Sequence, residues 1–265
     1  MIDRVLISGG SGGIGGAMAL ACAARGAWPL VGYCANERLA RETVRRGGAG
    51  ETVRIDLERE DLGLAGCLPA AGAVVHCAGA YIGQRSLAQS SSAEVRRLLE
   101  INALGPLRLT QALLTQAPGL RHVVFVLSTA VACRGTGPYP LSKAAGLAVC
   151  KLLANELTPR GIRVDAIVPG WTDTEAARSI ARATGRSLDE IRSQHLDGRI
   201  LAPSEVGELC AQLLFDVSAR PGGHLVVWDR RDARNPVWLG LGDMLALTPD
   251  HNHPLTNNDT SCGRK

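Results

Sequence analysis

Aromatic residues are scarce in this chain of 265 residues: four Trp, three Tyr and two Phe. So few rings exclude the stacking platforms on which single-stranded nucleic acids bind. Runs of like charge are also missing. The 29 basic and 25 acidic residues leave a net charge of +4, which argues against a dedicated nucleic-acid surface. The eight cysteines, at 22, 34, 67, 77, 133, 150, 210 and 262, form no CxxC pair, and the histidines do not cluster. No metal is therefore expected. Most of these thiols lie in apolar runs such as 17–24, where cysteine acts as a small hydrophobe, and the expected setting is a reduced cytoplasm. A signal-peptide pattern is absent as well, because Asp3 and Arg4 precede a short apolar run that glycines interrupt at once. Residues 62–83 carry no charge but contain Pro69, His76 and five glycines. So broken a segment would leave polar backbone in lipid, so a turn feeding a buried strand is expected there and no membrane span.

What the chain does contain is an alternation of short β-branched runs and longer helical patterns. Strands are predicted at 5–8, 28–33, 52–56, 73–76, 123–128, 163–168 and 224–228, with helices at 14–24, 36–45, 92–116, 141–157 and 205–215. Ser91 and Glu94 fit a capping box. Strands this apolar, each followed by a helix, predict an α/β fold: a single-domain, doubly wound, Rossmann-type parallel sheet with helices on both faces. The domain is expected to span 1–230. Residues 175–197 read as a pair of polar helices forming a substrate lid, and 231–265 as a partly disordered C-terminal extension. Leu98, Leu99, Leu107, Leu113, Leu147, Val149 and Leu152 leave apolar positions on more than one helix face.

Glycines concentrate where the first strand meets the first helix, in Ser8-Gly9-Gly10-Ser11-Gly12-Gly13-Ile14-Gly15. This run satisfies GxGxxG, GxxGxxG and GxxxGxG together. Such a turn lets the backbone approach a pyrophosphate, which the positive helix end attracts. The second strand ends in Gly32-Tyr33-Cys34-Ala35-Asn36, with no acid before Glu37 to accept from ribose hydroxyls. NADP is therefore favoured over NAD, with Arg38 either a partner for a 2′-phosphate or a solvated helix residue. Asp56, followed by Leu57, is a candidate partner for the adenine amino group.

Tyr139 and Lys143 are four residues apart, hence on one face of a helix, and Pro140 suits its first turn. An ordinary tyrosine titrates near pH ~10, and a neighbouring ammonium favours its phenolate. Set beside the glycine turn, these residues resemble the short-chain dehydrogenase/reductase family over residues 1 to 230. Ser8 stands for the threonine of the family's TGxxxGxG. His76-Cys77-Ala78-Gly79 resembles NNAG, Asn102 resembles the helix asparagine of the proton relay, Ser128-Thr129 the catalytic serine segment, and Pro169-Gly170-Trp171-Thr172-Asp173-Thr174 the PGxxxT turn.

The resemblance, to 3-oxoacyl reductase-like members in particular, implies a hydride transfer between NAD(P)H and a carbonyl or secondary alcohol. Tyr139 would be the general acid, Ser128 would hydrogen-bond the substrate oxygen, Lys143 would hold the nicotinamide ribose, and Asn102 would connect the lysine to solvent. Gly9, Ser11, Gly12, Gly13, Ile14, Gly15, Ala78, Gly79, Pro169, Gly170, Thr172 and Thr174 would line the dinucleotide. The implied substrate is a small-molecule or carrier-linked ketone, for which Arg178, Arg182, Arg186 and Arg192 either suit an anionic group or form a solvated helical face, and the implied assembly is a homodimer or homotetramer.

Three departures stand out. The interval from Ser128 to Tyr139 is short, so Thr129 is an alternative hydroxyl. His76 replaces the first asparagine of NNAG, and the closing DGG is Asp229-Arg230-Arg231. Two rival readings remain: a non-catalytic dinucleotide sensor or scaffold, which has no need of the tyrosine, and a sugar-nucleotide epimerase or dehydratase, which has a larger C-terminal domain.

Overall fold

The computed structural model describes residues 2–64, 66, 68–83, 86–116, 119–132, 137–216, 223–229 and 234–241. Eight strands form one sheet: β1 (Arg4–Ser8), β2 (Trp28–Tyr33), β3 (Glu51–Arg54), β4 (Ala73–His76), β5 (His122–Val126), β6 (Arg163–Pro169), β7 (His224–Trp228) and β8 (Val237–Gly240). Their order is β3-β2-β1-β4-β5-β6-β7-β8. All neighbours are parallel except β7 and β8. The winding direction reverses between β1 and β4, where Ile7 pairs with Val75 and Ser8 with His76. Helices leaving β1 and β4 on opposite sides open a crevice at the strand ends there, the usual ligand position in such sheets.

Both sheet faces are buried, which is why the strands read as continuous apolar runs. Leu6, Leu30, Val74 and Phe125 form one core with α4 (Gly105–Gln116) and α5 (Pro138–Leu157). Val5, Ile7, Val31, Val124 and Ile167 form the other with α1 (Gly13–Ala23), α2 (Glu37–Gly47) and α8 (Pro203–Phe215). α1 is apolar on nearly every side because α8 covers what the sheet does not. A Cβ on Gly207 of α8 would lie 2.7 Å from the Ala17 carbonyl carbon. Hydrogen placed there fixes how closely the two helices approach.

The structure departs from the periodicity in several places. The helix expected over 92–116 is α3 (Ser92–Leu99), a π-helical turn at Glu100–Leu104, and then α4. Gly105 lets α4 begin against the loop after β3, since a Cβ there would meet Leu57 Cβ at 2.6 Å and Leu57 O at 2.7 Å. α5 starts at Pro138, three residues earlier than the pattern, because prolines need no intrahelical donor in a first turn. β3 stops at Arg54, as Asp56 N–H turns to Leu62 O at 2.8 Å. β8 carried no periodic signal, lies within 231–265, and pairs antiparallel with β7. The expected disorder at 242–265 falls outside the described residues, as do Arg230 and Arg231. The paired polar helices are α6 (Glu175–Ala183) and α7 (Leu188–Ser193), capped by the side chains of Thr174 and Ser187.

Candidate active site

A cleft of about 1100 Å³ runs along the carboxyl ends of the strands. One end is built by the β1–α1 turn. Ser8 Oγ accepts from Ala78 N–H at 3.2 Å, tying the end of β1 to the loop after β4. Gly9 has φ +67°, and a Cβ there would lie 2.7 Å from Ala78 Cα. Gly15 is tighter still: its Cβ would sit 2.3 Å from Gly9 O. Relieving that clash means moving a rigid turn, a small-to-large change of about 1–3 kcal/mol. Gly15→Ala is thus expected to lower the melting temperature and weaken dinucleotide binding, both readable in a thermal-shift titration.

Gly12 faces open space and gives α1 no side-chain cap. The first amides of α1 are therefore available to an external anion, and the backbone cradle fits a pyrophosphate. Further along, Tyr33, Cys34, Asn36, Asp56 and Leu57 line the cleft, whereas Arg38 does not. Asn36 caps α2 by accepting from Leu39 N–H at 3.1 Å.

At the other end, Tyr139 stands in the first turn of α5 with Lys143 one turn on, its Nζ 5.8 Å from the tyrosine ring centroid. Lys143 is only 5% exposed and donates to Val126 O at 3.3 Å. Among the described residues no acid forms an ion pair with it, so its charge is open to the cleft. Asn102 lies in the π-helical turn and does not line the cleft itself. Its Oδ1 accepts from Ala80 N–H at 3.0 Å, and its Nδ2 donates to Ala80 O at 3.0 Å and to Ser142 Oγ at 2.9 Å. The amide thus clamps the loop after β4 onto α5. Ser128 and Thr129 both line the cleft, so both hydroxyls reach the same space, with Ser128 Oγ accepting from Ala130 N–H at 3.3 Å.

Pro169, Gly170, Thr172 and Thr174 form the opposite wall. Thr174 caps α6 at 3.1 Å, and a Cβ on Gly13 would touch its Cγ2 at 3.3 Å, bringing the start of α6 onto the start of α1. Ser11, Gly13, Ile14, Ala78 and Gly79 complete the lining, so the candidate catalytic and dinucleotide-lining residues named from the sequence border this one space, with the exceptions of Asn102 and Arg38.

Burial keeps the two residues replacing the NN of NNAG uncharged. Thr110 Oγ1 gives its proton to Pro106 O at 3.0 Å, so His76 Nε2, 2.8 Å away, is the donor in their bond. Burial holds the imidazole down to about 3, hence neutral. Burial likewise pushes the Cys77 thiol up to about 12, although Lys143 opposes it.

A match over most of the chain decides its ancestry: the family model described as enoyl-(acyl carrier protein) reductase fits residues 9–230. The chain belongs to the short-chain dehydrogenase/reductase family. It is 29% identical over 244 residues to the uncharacterized oxidoreductase YmfI of Bacillus subtilis (strain 168), covering 85% of this chain and 97% of that protein. Among solved structures, the reductase LugOII, described as catalysing keto-reduction at C1 during lugdunomycin biosynthesis, superposes with a TM-score of 0.74. It has 24% identity, over 85% of this chain and 95% of its own. The angucycline C-6 ketoreductase LanV with bound NADP gives a TM-score of 0.70 and 22% identity, over 80% and 88%.

This short-chain dehydrogenase/reductase is accordingly an NAD(P)-dependent oxidoreductase that transfers hydride between its cofactor and a carbonyl or secondary alcohol. The sensor and scaffold alternative is not favoured.

The four arginines of 175–197 are engaged by side chains of residues 173–194. Arg178 donates to Asp173 at 2.5 Å, Arg182 to Glu175 at 2.8 Å, Arg186 to Gln194 at 2.7 Å, and Arg192 to Asp189 at 2.8 Å and Asp173 at 2.9 Å. None of the four lines the cleft. Of the two readings of these arginines, this geometry supports the surface helical face and not a contact with an anionic substrate. Sequence reasoning passed over Tyr81 and Trp171, which do line it. Both are among only nine aromatic residues in the chain, and Trp171 stands inside the PGxxxT turn without having been singled out.

Proposed function

We propose that this enzyme uses NADPH to reduce the carbonyl of a small, uncharged ketone, with Tyr139 as the proton donor. The observation carrying the reading is a buried Lys143, with no acid partner among the described residues, one helical turn from Tyr139 in the cleft that the glycine turn opens. Bound cofactor supplies the hydride. Gly9, Ser11, Gly12, Gly13, Ile14 and Gly15 hold its diphosphate, Asp56 and Leu57 the adenine side, and Ala78, Gly79, Pro169, Gly170, Thr172 and Thr174 the nicotinamide side.

Tyr139 Oη gives its proton to the carbonyl oxygen as negative charge develops there, and Ser128 Oγ, or Thr129 in its stead, donates a hydrogen bond to the same oxygen. Lys143 stabilises the tyrosine oxyanion left behind. Asn102 keeps the loop after β4 and α5 in register, so that both groups face the substrate. α6 and α7 act as the lid. The acid-free end of β2 supports NADP, as does the NADP held by LanV. Thermal-shift titration tests this: NADPH is expected to raise the melting temperature at lower concentration than NADH. Equal responses would overturn the preference, and absence of any ketone-dependent NADPH oxidation would overturn the reaction.

We further propose a homodimer or homotetramer in a reducing cytoplasm. Of the apolar helix positions, Leu98, Leu113 and Leu147 are spent in the core, but Leu152 on α5 is 60% exposed, with Leu141 also exposed on that helix. Leu152→Glu is expected to shift the gel-filtration peak to a smaller species. Among the described residues no helix is long and apolar enough to cross a membrane, and no three His, Cys, Asp or Glu side chains converge as metal ligands.

A further inference from the structure

Three of the nine aromatic residues in this aromatic-poor chain, Tyr81, Tyr139 and Trp171, line the reacting half of the cleft. Tyr81 is the one whose position is built. Both polar groups of the preceding peptide residue, Ala80, are hydrogen-bonded to Asn102 at 3.0 Å, which pins the backbone on which Tyr81 stands. Its ring lies 5.3 Å from that of Tyr139 with an interplanar angle of 72°, an edge-to-face pair. The surrounding wall adds the aliphatic side chains of Val131 and Ile180. Glu175, at the rim, is engaged by Arg182 at 2.8 Å and Arg178 at 3.6 Å. No lid arginine is left over to meet a substrate anion.

We propose that Tyr81 is a substrate-positioning residue: braced against Tyr139 and anchored through Ala80 by Asn102, its ring packs on the conjugated face of the substrate and selects flat, uncharged aryl ketones over saturated ones. The reasoning rests on the ketone-reductase reading above and names its substrate class. Aromatic rings in contact gain more than their buried area alone provides, and that surplus is lost when one of them is replaced by an aliphatic side chain. The same contact orients the carbonyl, because a stacked fused-ring ketone cannot tumble in the cleft as a saturated ring can.

The test compares α-tetralone, a fused aryl ketone, with its saturated counterpart α-decalone, using NADPH and the full chain as wild type, Tyr81→Phe and Tyr81→Leu. The ratio of kcat/KM for the aryl over the saturated ketone is expected to fall about tenfold in Tyr81→Leu, chiefly through KM for α-tetralone, and to be retained in Tyr81→Phe. A ratio unchanged in Tyr81→Leu overturns the proposal, as does a loss in KM and kcat alike for both ketones. Should Tyr81→Leu fail to fold, Tyr81→Met is read in its place.

Calorimetric binding of α-tetralone to the NADP+-loaded protein gives a readout independent of turnover. Weakening about tenfold in the leucine variant supports the assignment, and undiminished affinity, or no binding to wild type, overturns it. Turnover persisting in Tyr139→Phe would sink the proton-donor reading while leaving the Tyr81 ratio measurable, so the two failures are distinguishable.

Discussion

Tyr139→Phe is expected to lower kcat for ketone reduction by about 10²–10⁴-fold, the range contributed by a positioned general acid. The substitution removes one oxygen and leaves the ring. Its edge-to-face contact with Tyr81 at 5.3 Å therefore persists, as does the backbone C=O that accepts from Ser142 Oγ at 2.8 Å. Lys143 also keeps its bond to Val126 O. Because packing is conserved, the melting temperature and the NADPH-induced thermal shift are expected to stay close to wild type while stopped-flow NADPH oxidation slows. Turnover within a few-fold of wild type would remove Tyr139 from the proton-transfer step. In the proposed mechanism Ser128, or Thr129 in its stead, would supply only a hydrogen bond to the same oxygen, so replacing either by Ala is expected to have the smaller effect.

The second large effect is on stability and lies away from the cleft. Asp165, on β6, is fully buried. Its Oδ2 accepts from His122 Nε2 at 2.6 Å and Arg163 Nη2 at 3.2 Å. Its Oδ1 accepts from His224 N–H at 2.7 Å, Gly223 N–H at 3.0 Å and His224 Nδ1 at 3.1 Å. This carboxylate joins β5, β6 and β7, and His224 in turn packs edge-on to Trp238 of β8. Removing one side of so buried a set leaves its donors without acceptors, at about 3–5 kcal/mol. For a chain of this size Asp165→Ala is then expected to lower the melting temperature by about 10 °C, readable by differential scanning calorimetry. An unchanged melting temperature would mean that the network contributes nothing net.

The same group sets an acid limit. Burial pushes the Asp165 carboxyl up, but the hydrogen bond and charge of His122, the His224 N–H and Arg163 outweigh it and hold the group at about 2 against an ordinary 3.8. A carboxylate lowered on folding is stabilising above its unfolded value and loses that contribution as pH falls through its folded one. The stabilisation is thus complete above pH 3.8 and disappears between there and about 2. His122 adds to the acid sensitivity, since burial lowers its titration despite Asp165, and the unfolded chain takes up a proton that the folded chain refuses. Asp165→Asn is expected to flatten the carboxylate part of this acid limb.

The parts of the fold that were legible share one property: their signals are local. Strands buried on two faces read as unbroken apolar runs, the β1–α1 turn as consecutive glycines, and Tyr139 with Lys143 as a spacing of four on one helix. The π-helical turn was illegible because leucines continue through it and only the backbone hydrogen-bond pattern changes. β8 is four residues long and has meaning only beside β7.

What the order of residues settled, then, was the doubly wound architecture, the glycine turn at the end of the first strand and the placing of phenol and ammonium on one helix face, because backbone periodicity and conformational freedom act over a few residues. Folding in three dimensions alone assigned Asn102 to the Ala80 backbone, turned the arginines of α6, α7 and their connection onto neighbouring carboxylates and the Gln194 amide, brought His122 and His224 to Asp165, and set Tyr81 against Tyr139. Each of these depends on which polar or aromatic groups meet once water is excluded. Partners as far apart in the chain as Asp165 and His224 are chosen by the packing of strands and helices, which no local pattern encodes.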